Sequence, residues 1–333
     1  MGTEKSLLSV HTTGSTGTPL TVFLSEWEFL TASTFIVYGF LKSGASLRDS
    51  YGQIIVPGYQ RNHFPFERLG ILKQHYIDLR EGVEEILRQL KLAKPSVLYS
   101  YPSVLSLLAR QILSSEGSTY RPGLIVTHGE LLTDQTRSLI AQAFGCPVRD
   151  SYGAAEAFRI AYECEHQRLH IIADSCVVEA DETTLDADGA ADLIITPLYL
   201  RRVPLIRYRI GDRAILSDDT CPCGSCLPVI RKLFGRCDDF LTLPSGRKIS
   251  ARAVNLLERV PGMIEYQIIQ KKRDLFEVIV KPNREFSETT VREIERTISE
   301  GCSPEKVHIA VHTVQNVQRA PNGKLNAVLS EAR

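Results

Sequence analysis

His11-Thr12-Thr13-Gly14-Ser15-Thr16-Gly17-Thr18-Pro19-Leu20 is the stretch on which the reading turns. Between Thr12 and Pro19 lie four hydroxyls and two glycines. Glycine lets the backbone approach an anion closely and take positive φ, while hydroxyls and exposed N–H groups donate hydrogen bonds. That chemistry suits a polyphosphate. No Gly-Lys-Ser/Thr closes the run, so it is not a Walker loop. Taken alone, such a run also describes an ordinary surface loop.

Four further motifs lie downstream: Asp150-Ser151-Tyr152-Gly153-Ala154-Ala155-Glu156, Tyr208-Arg209-Ile210-Gly211-Asp212, Gly235-Arg236-Cys237-Asp238-Asp239 and Pro321-Asn322-Gly323-Lys324. Their order and spacing resemble the adenylate-forming superfamily of acyl-CoA synthetases, adenylation domains and luciferases. The wording is closest to its phenylacetate–coenzyme A ligase-like branch, and the match runs from about residue 10 to the C-terminus. The resemblance implies the adenylate-forming enzyme fold. That is an α/β large domain of mixed sheets with packed helices, followed by a small mobile α+β C-terminal domain. We place the large domain at 1–236 and the small one at 237–333.

The same resemblance assigns roles. Thr12, Thr13, Gly14, Ser15, Thr16 and Gly17 would wrap the β- and γ-phosphates of ATP, with Thr18 standing where the family usually has lysine. Tyr152 would offer adenine a flat face, and Gly153 would let the nucleotide lie against the backbone. Gly129, Glu130, Asp150, Ser151 and Arg236 are further nucleotide-binding candidates. Asp212 would accept hydrogen bonds from the ribose hydroxyls. Glu156 is the natural Mg²⁺ ligand, because hard Mg²⁺ takes carboxylate oxygens alongside phosphates. Asp238 would be the hinge of the small domain. Lys324 is the expected catalytic residue, a cation bridging the attacking carboxylate and the α-phosphate. Arg201, Arg202 and Arg213 read as a salt-bridged strand surface.

The eight cysteines include a cluster at Cys221, Cys223 and Cys226. Cys164-x5-His170 and Cys221-x-Cys223 bracket one stretch, and thiolate with imidazole is the ligand set zinc prefers. A structural zinc on Cys164, His170, Cys221 and Cys223 is expected, with Cys226 or His166 as substitutes. Cys146, Cys176, Cys237 and Cys302 read as ordinary core or surface residues.

Lysine plus arginine and aspartate plus glutamate both number 39. No global field therefore recruits nucleic acid or an anionic membrane. No apolar run approaches the roughly 18 residues of a membrane span, and no signal pattern opens the chain, so a cytoplasmic protein is expected.

Local patterns predict helices over 26–43, 82–95, 101–113, 133–144, 251–260 and 287–299. Strands are predicted at 124–127, 148–151, 177–181, 192–197, 240–243, 266–270 and 275–280. Only eleven residues precede Thr12 of the phosphate loop, where the resembled family has a substantial segment. The aromatic-rich stretch 21–41 is therefore expected to need cover from a second copy or another chain.

The function these expectations define is ATP-dependent, AMP-forming ligation of a small carboxylic acid to a thiol acceptor, coenzyme A first. Loading of a carrier protein or an amine, in polysaccharide or natural-product biosynthesis, is the alternative within the class. A degenerate ligase that only binds a nucleotide or a partner is the alternative outside it.

Overall fold

The computed structural model describes residues 8–11, 21–55, 69–114, 120–236, 240–250, 257, 260–319 and 325–332. The expected phosphate loop, Asp238, Lys324 and nearly all of the helix expected at 251–260 lie outside these residues. The chain separates into two compact units, the first ending at Leu233 and the second beginning at Phe234.

The first unit opens with the antiparallel pair β1 (Leu8–His11) and β2 (Thr21–Leu24), then helix α1 (Glu26–Lys42). Next come β3 (Ser50–Ile55), β4 (Lys73–Asp78), α2 (Val83–Ala93), β5 (Val97–Ser100), α3 (Pro102–Ser114), β6 (Leu124–His128), α4 (Asp134–Phe144) and β7 (Val148–Ala154). The remaining strands are β8 (Phe158–Glu163), β9 (Leu169–Ile171), β10 (Cys176–Ala180), β11 (Ala191–Pro197), β12 (Tyr208–Ser217) and β13 (Val229–Arg236). Strands β3 to β13 form one sheet in the order β10-β11-β12-β13-β9-β8-β7-β6-β5-β3-β4.

Its β4-β3-β5-β6-β7 half is parallel. Parallel neighbours need a crossover: α3 joins β5 to β6, α4 joins β6 to β7, and α2 lies on the return from the edge strand β4 to β5. These helices bury Ile86, Leu90, Leu105, Leu108, Ile140 and Phe144 against Leu98, Ile125 and Val148. Helix α1 covers other side chains of the same strands, setting Ile36, Val37 and Phe40 against Tyr51, Val97, Tyr99 and Val126.

The helix ends follow their caps. Ser25 and Glu28 form a capping box on α1. Thr133 caps α4, and Gly145 ends it in the left-handed conformation. The buried Glu28 also accepts the N–H groups of Arg201 and Arg202 at 2.6 and 2.9 Å. Burial alone would raise its carboxyl. The hydrogen bonds prevail and hold it near 2.

The aromatic stretch expected to stand uncovered is divided. Phe29, Phe35 and Tyr38 meet Phe158, Tyr199 and Tyr162, whereas Phe23, Trp27 and Leu30 are exposed. Among the described residues no helix is long and apolar enough to cross a membrane.

The second unit holds a two-stranded pair, β14 (Phe240–Thr242) and β15 (Lys248–Ser250). Among the described residues it also holds a four-stranded sheet ordered β18-β17-β16-β19 and one helix. These are β16 (Met263–Lys272), β17 (Leu275–Pro282), α5 (Glu288–Cys302), β18 (His308–Thr313) and β19 (Val328–Ser330). Ile268, Phe276, Val278, Val280, Ile294 and Ile298 are fully buried in its core.

Candidate active site

The Tyr-Gly-x-x-Glu motif occupies the end of β7 and its turn into β8. Ala157 N–H closes that turn on the Ala154 carbonyl at 3.2 Å, and Phe158 takes φ +50°. The reversal brings the chain back so tightly that a Cβ on Gly153 would lie 1.9 Å from the Phe158 carbonyl oxygen. Backbone, not a flexible side chain, fills that space, so only glycine fits. Gly153→Ala is therefore expected to cost about 3 kcal/mol or more through overpacking. That lowers Tm by roughly 6–12 °C. An unchanged melting curve would show that the turn yields without cost.

Two motifs meet through a reciprocal pair of bonds. The Tyr152 hydroxyl donates to Asp212 Oδ2 at 2.6 Å, and the Tyr208 hydroxyl donates to Glu156 Oε1 at 3.4 Å. Each motif thus lends a tyrosine to the other's carboxylate. Burial drives the Tyr152 phenol well above its ordinary value, and the Asp212 charge adds to that, so it stays a donor at any physiological pH. The Tyr152 ring lies among Ile160, Ala161, Leu193, Ile195 and Ile210. It is 7 % exposed. Apolar neighbours surround the ring, and its hydroxyl faces Asp212.

Other residues expected at the nucleotide hold hydrogen bonds within the chain. Asp150 Oδ1 accepts the Thr127 hydroxyl at 2.7 Å and the Ser151 N–H at 2.9 Å. Burial pushes its carboxyl up to about 7, with the Glu163 charge contributing. Glu163 pairs with Arg137 at 2.7 Å and accepts the Asp150 N–H at 2.6 Å. Ser151 Oγ donates to the Thr127 carbonyl at 2.8 Å. Glu130 accepts the Ser103 N–H and hydroxyl at 2.9 and 3.0 Å, closing the first turn of α3. Gly129 has φ +73°, and a Cβ there would meet the Tyr101 ring at 2.9 Å. These residues hold the strand ends in place. Arg236 ends β13. Arg213 bridges Asp186 and Asp192 at 2.8 and 3.0 Å, a surface ion network as expected.

Away from these motifs, Cys164, His170, Cys221 and Cys223 place one ligand atom each within 4.8 Å of one another. Cys164 follows β8, His170 lies on β9, and the other two precede β13 in a turn where Gly224 N–H donates to the Cys221 carbonyl at 3.0 Å. Sγ of Cys164 and Cys221 are 3.7 Å apart, and Cys223 Sγ lies 3.4 Å from His170 Nε2. Tetrahedral zinc with Zn–S near 2.3 Å implies sulfur separations of about 3.8 Å. His170 Nδ1 faces the Leu227 carbonyl at 3.3 Å, which leaves Nε2 for the cluster. The donor set and its spacing fit zinc. Cys226 is exposed and His166 lies beside Glu165 at 3.6 Å, so neither belongs to the set.

No protein-family profile matches the chain. The fold is that of adenylate-forming ligases. The structure aligns with 2-hydroxyisobutyryl-CoA ligase in complex with 2-HIB-AMP at TM-score 0.77 and 18 % identity, over 98 % of this chain and 74 % of that one. It aligns with the anthranilate CoA ligase AuaEII in complex with anthranoyl-AMP at TM-score 0.69 and 16 % identity, over 96 % and 66 %. Protein CapK of Staphylococcus aureus is 28 % identical over 295 residues, 81 % of this chain and 62 % of CapK. Phenylacetate-coenzyme A ligase of Thermus thermophilus is 26 % identical over 311 residues, 87 % of this chain and 68 % of that enzyme. The chain thus spans under two thirds of the length of CapK. It is similar in fold to these CoA ligases and in sequence to CapK and to a phenylacetate-coenzyme A ligase.

Proposed function

We propose that this chain is an ATP-dependent, AMP-forming acid–thiol ligase. It joins a carboxylate to the α-phosphate of ATP with release of pyrophosphate, then passes the acyl group to a thiol, that of coenzyme A. The observation that carries the reading is the reciprocal Tyr152–Asp212 and Tyr208–Glu156 pairing, which gathers two motifs 60 and 52 residues apart in sequence. Related proteins named as CoA ligases, and a solved structure named as holding both an acyl-adenylate and CoA, support it.

In this reading Asp212, oriented by Tyr152, receives the ribose hydroxyls. Glu156, which is 9 % exposed, holds Mg²⁺, whose charge would neutralise the departing pyrophosphate. Residues 12–17 wrap the phosphates, Arg236 contacts the nucleotide, Asp238 is the hinge between the domains 1–236 and 237–333, and Lys324 serves the adenylation step. The Cys164–His170–Cys221–Cys223 cluster holds a structural zinc. Four protein ligands leave no open position, so that metal takes no part in the chemistry.

Pyrophosphate release from ATP, measured across a panel of carboxylic acids, tests the proposal. Release with at least one acid is expected. ATP binding without release for any acid would instead make the chain a nucleotide-binding protein. Asp212→Ala is expected to weaken ATP binding by roughly 1–3 kcal/mol, about 5- to 150-fold in Kd. Calorimetric titration that finds an unchanged Kd removes Asp212 from the nucleotide site.

A further inference from the structure

Arg159 is 3 % exposed, yet the described residues give it little to hold. It stands opposite Gly153 in the β7–β8 pairing. Its guanidinium carbon lies 5.1 Å from the Phe40 ring centroid and 5.7 Å from that of Tyr99. Nη2 reaches the Tyr99 hydroxyl at 3.5 Å, a long contact. Nη1 is buried and has no hydrogen-bond partner. It lies beside Gly39 of α1, where an added Cβ would stand 3.4 Å away.

A guanidinium cannot shed its charge in a protein, and a buried charge without a counter-charge is strongly unfavourable. Two aromatic faces offset part of that cost, but rings accept no N–H hydrogen bond of ordinary strength. Among the described residues no carboxylate pairs with it, so the residue is arranged for an anion that a ligand would bring.

The position says which end of a substrate that anion occupies. Tyr152 sends its side chain into the cluster where its hydroxyl meets Asp212. Arg159, one rung along the same strand pair, turns to Phe40 and Tyr99 of the cluster that α1 covers. The reacting carboxylate belongs on the nucleotide side, so the group at Arg159 is the far end of the acid. Resting on the ligase reading above, we propose that Arg159 determines specificity by pairing with a second anionic group, and that the substrate is a dicarboxylic acid.

The experiment compares wild-type protein with Arg159→Met, which keeps length and volume without charge, on matched acids: butanoate with succinate, and benzoate with terephthalate. Pyrophosphate release and ligand-induced shifts in Tm are both read. For wild type, kcat/KM is expected to favour the diacid of a pair by about 10²-fold or more, with the diacid alone raising Tm. Arg159→Met should lose both preferences, while its ligand-free Tm stays level or rises because an uncompensated buried charge is gone. If no acid releases pyrophosphate, the ligase reading fails, and a diacid-specific Tm shift that needs Arg159 still upholds the binding role. Equal use or equal binding of mono- and diacids by wild type overturns the proposal. So does a steep fall in the ligand-free Tm of Arg159→Met with acid preference unchanged, the signature of a purely structural arginine.

Discussion

Lys324→Ala is expected to depress adenylate formation from ATP and carboxylate by about 10²-fold or more, the usual loss when one preorganised electrostatic contact to a transition state is removed. Thioester formation from a supplied acyl-adenylate should persist at close to the wild-type rate. The reasoning is electrostatic. A carboxylate approaching the α-phosphate brings two anions together, and the negative charge crowds further as the bond forms. A cation in a glycine-bearing segment, as the sequence Pro321-Asn322-Gly323-Lys324 is proposed to supply, would enter for that step and withdraw before the thiol attacks. The two half-reactions therefore separate the lysine's role from any general damage. Single-turnover assays of each half-reaction provide the check. Equal loss in both would point to a folding defect in the second unit and would remove Lys324 from the chemistry.

Several elements were legible because their ends carry strong local chemistry. Ser25 with Glu28, Thr133 and Gly145 mark helix boundaries that the structure reproduces to within a residue. Leu124–Val126 reads as a buried strand because it is apolar on both faces, as a central parallel strand must be. Strand β12 escaped notice. Tyr208–Ser217 carries Arg209, Asp212 and Arg213, and its charges are met by partners distant in sequence, such as Asp181 and Asp192. No local window contains that compensation.

The site shows the same division. The motif residues were found, but the direction of each side chain was not. Glu130 closes a helix 27 residues away in sequence, and Asp150 turns to Thr127, both tertiary relations. One signal was available. Tyr152 precedes Glu156, and Tyr208 precedes Asp212, by the same four positions. Two tyrosine–acid pairs of equal spacing can cross-bond reciprocally, and in the structure they do. Arg159 carried no pattern at all. Only burial without a carboxylate partner among the described residues singles it out.

Protein purified without added metal should contain one zinc per chain, and replacing Cys221 and Cys223 together by serine should abolish it. The expected cost is large because the cluster ties together segments that the sheet alone does not clamp. Cys164 closes the β8–β9 turn, where its N–H donates to the Arg168 carbonyl at 3.0 Å. Cys221 and Cys223 belong to the stretch between Ser217 and Val229, outside the regular strands. Without a cation the ligands have poor alternatives. Burial pushes the Cys164 thiol up to about 11, and a weak S–H donor gains little from another sulfur. A bound zinc would hold Cys164, Cys221 and Cys223 as thiolates and compensate their charge. A ligand that binds only the folded state, present at 1,000 times its Kd, stabilises by about 4 kcal/mol. For a chain of this size that corresponds to roughly 8–16 °C in Tm. Elemental analysis and melting curves of wild type, chelator-treated wild type and the Cys221→Ser/Cys223→Ser double variant decide the matter. Absence of zinc from the native protein, or zinc retained at one per chain by the double variant, refutes the site. A chelator that strips the metal without lowering Tm would leave the ligands in place but deny them a structural role.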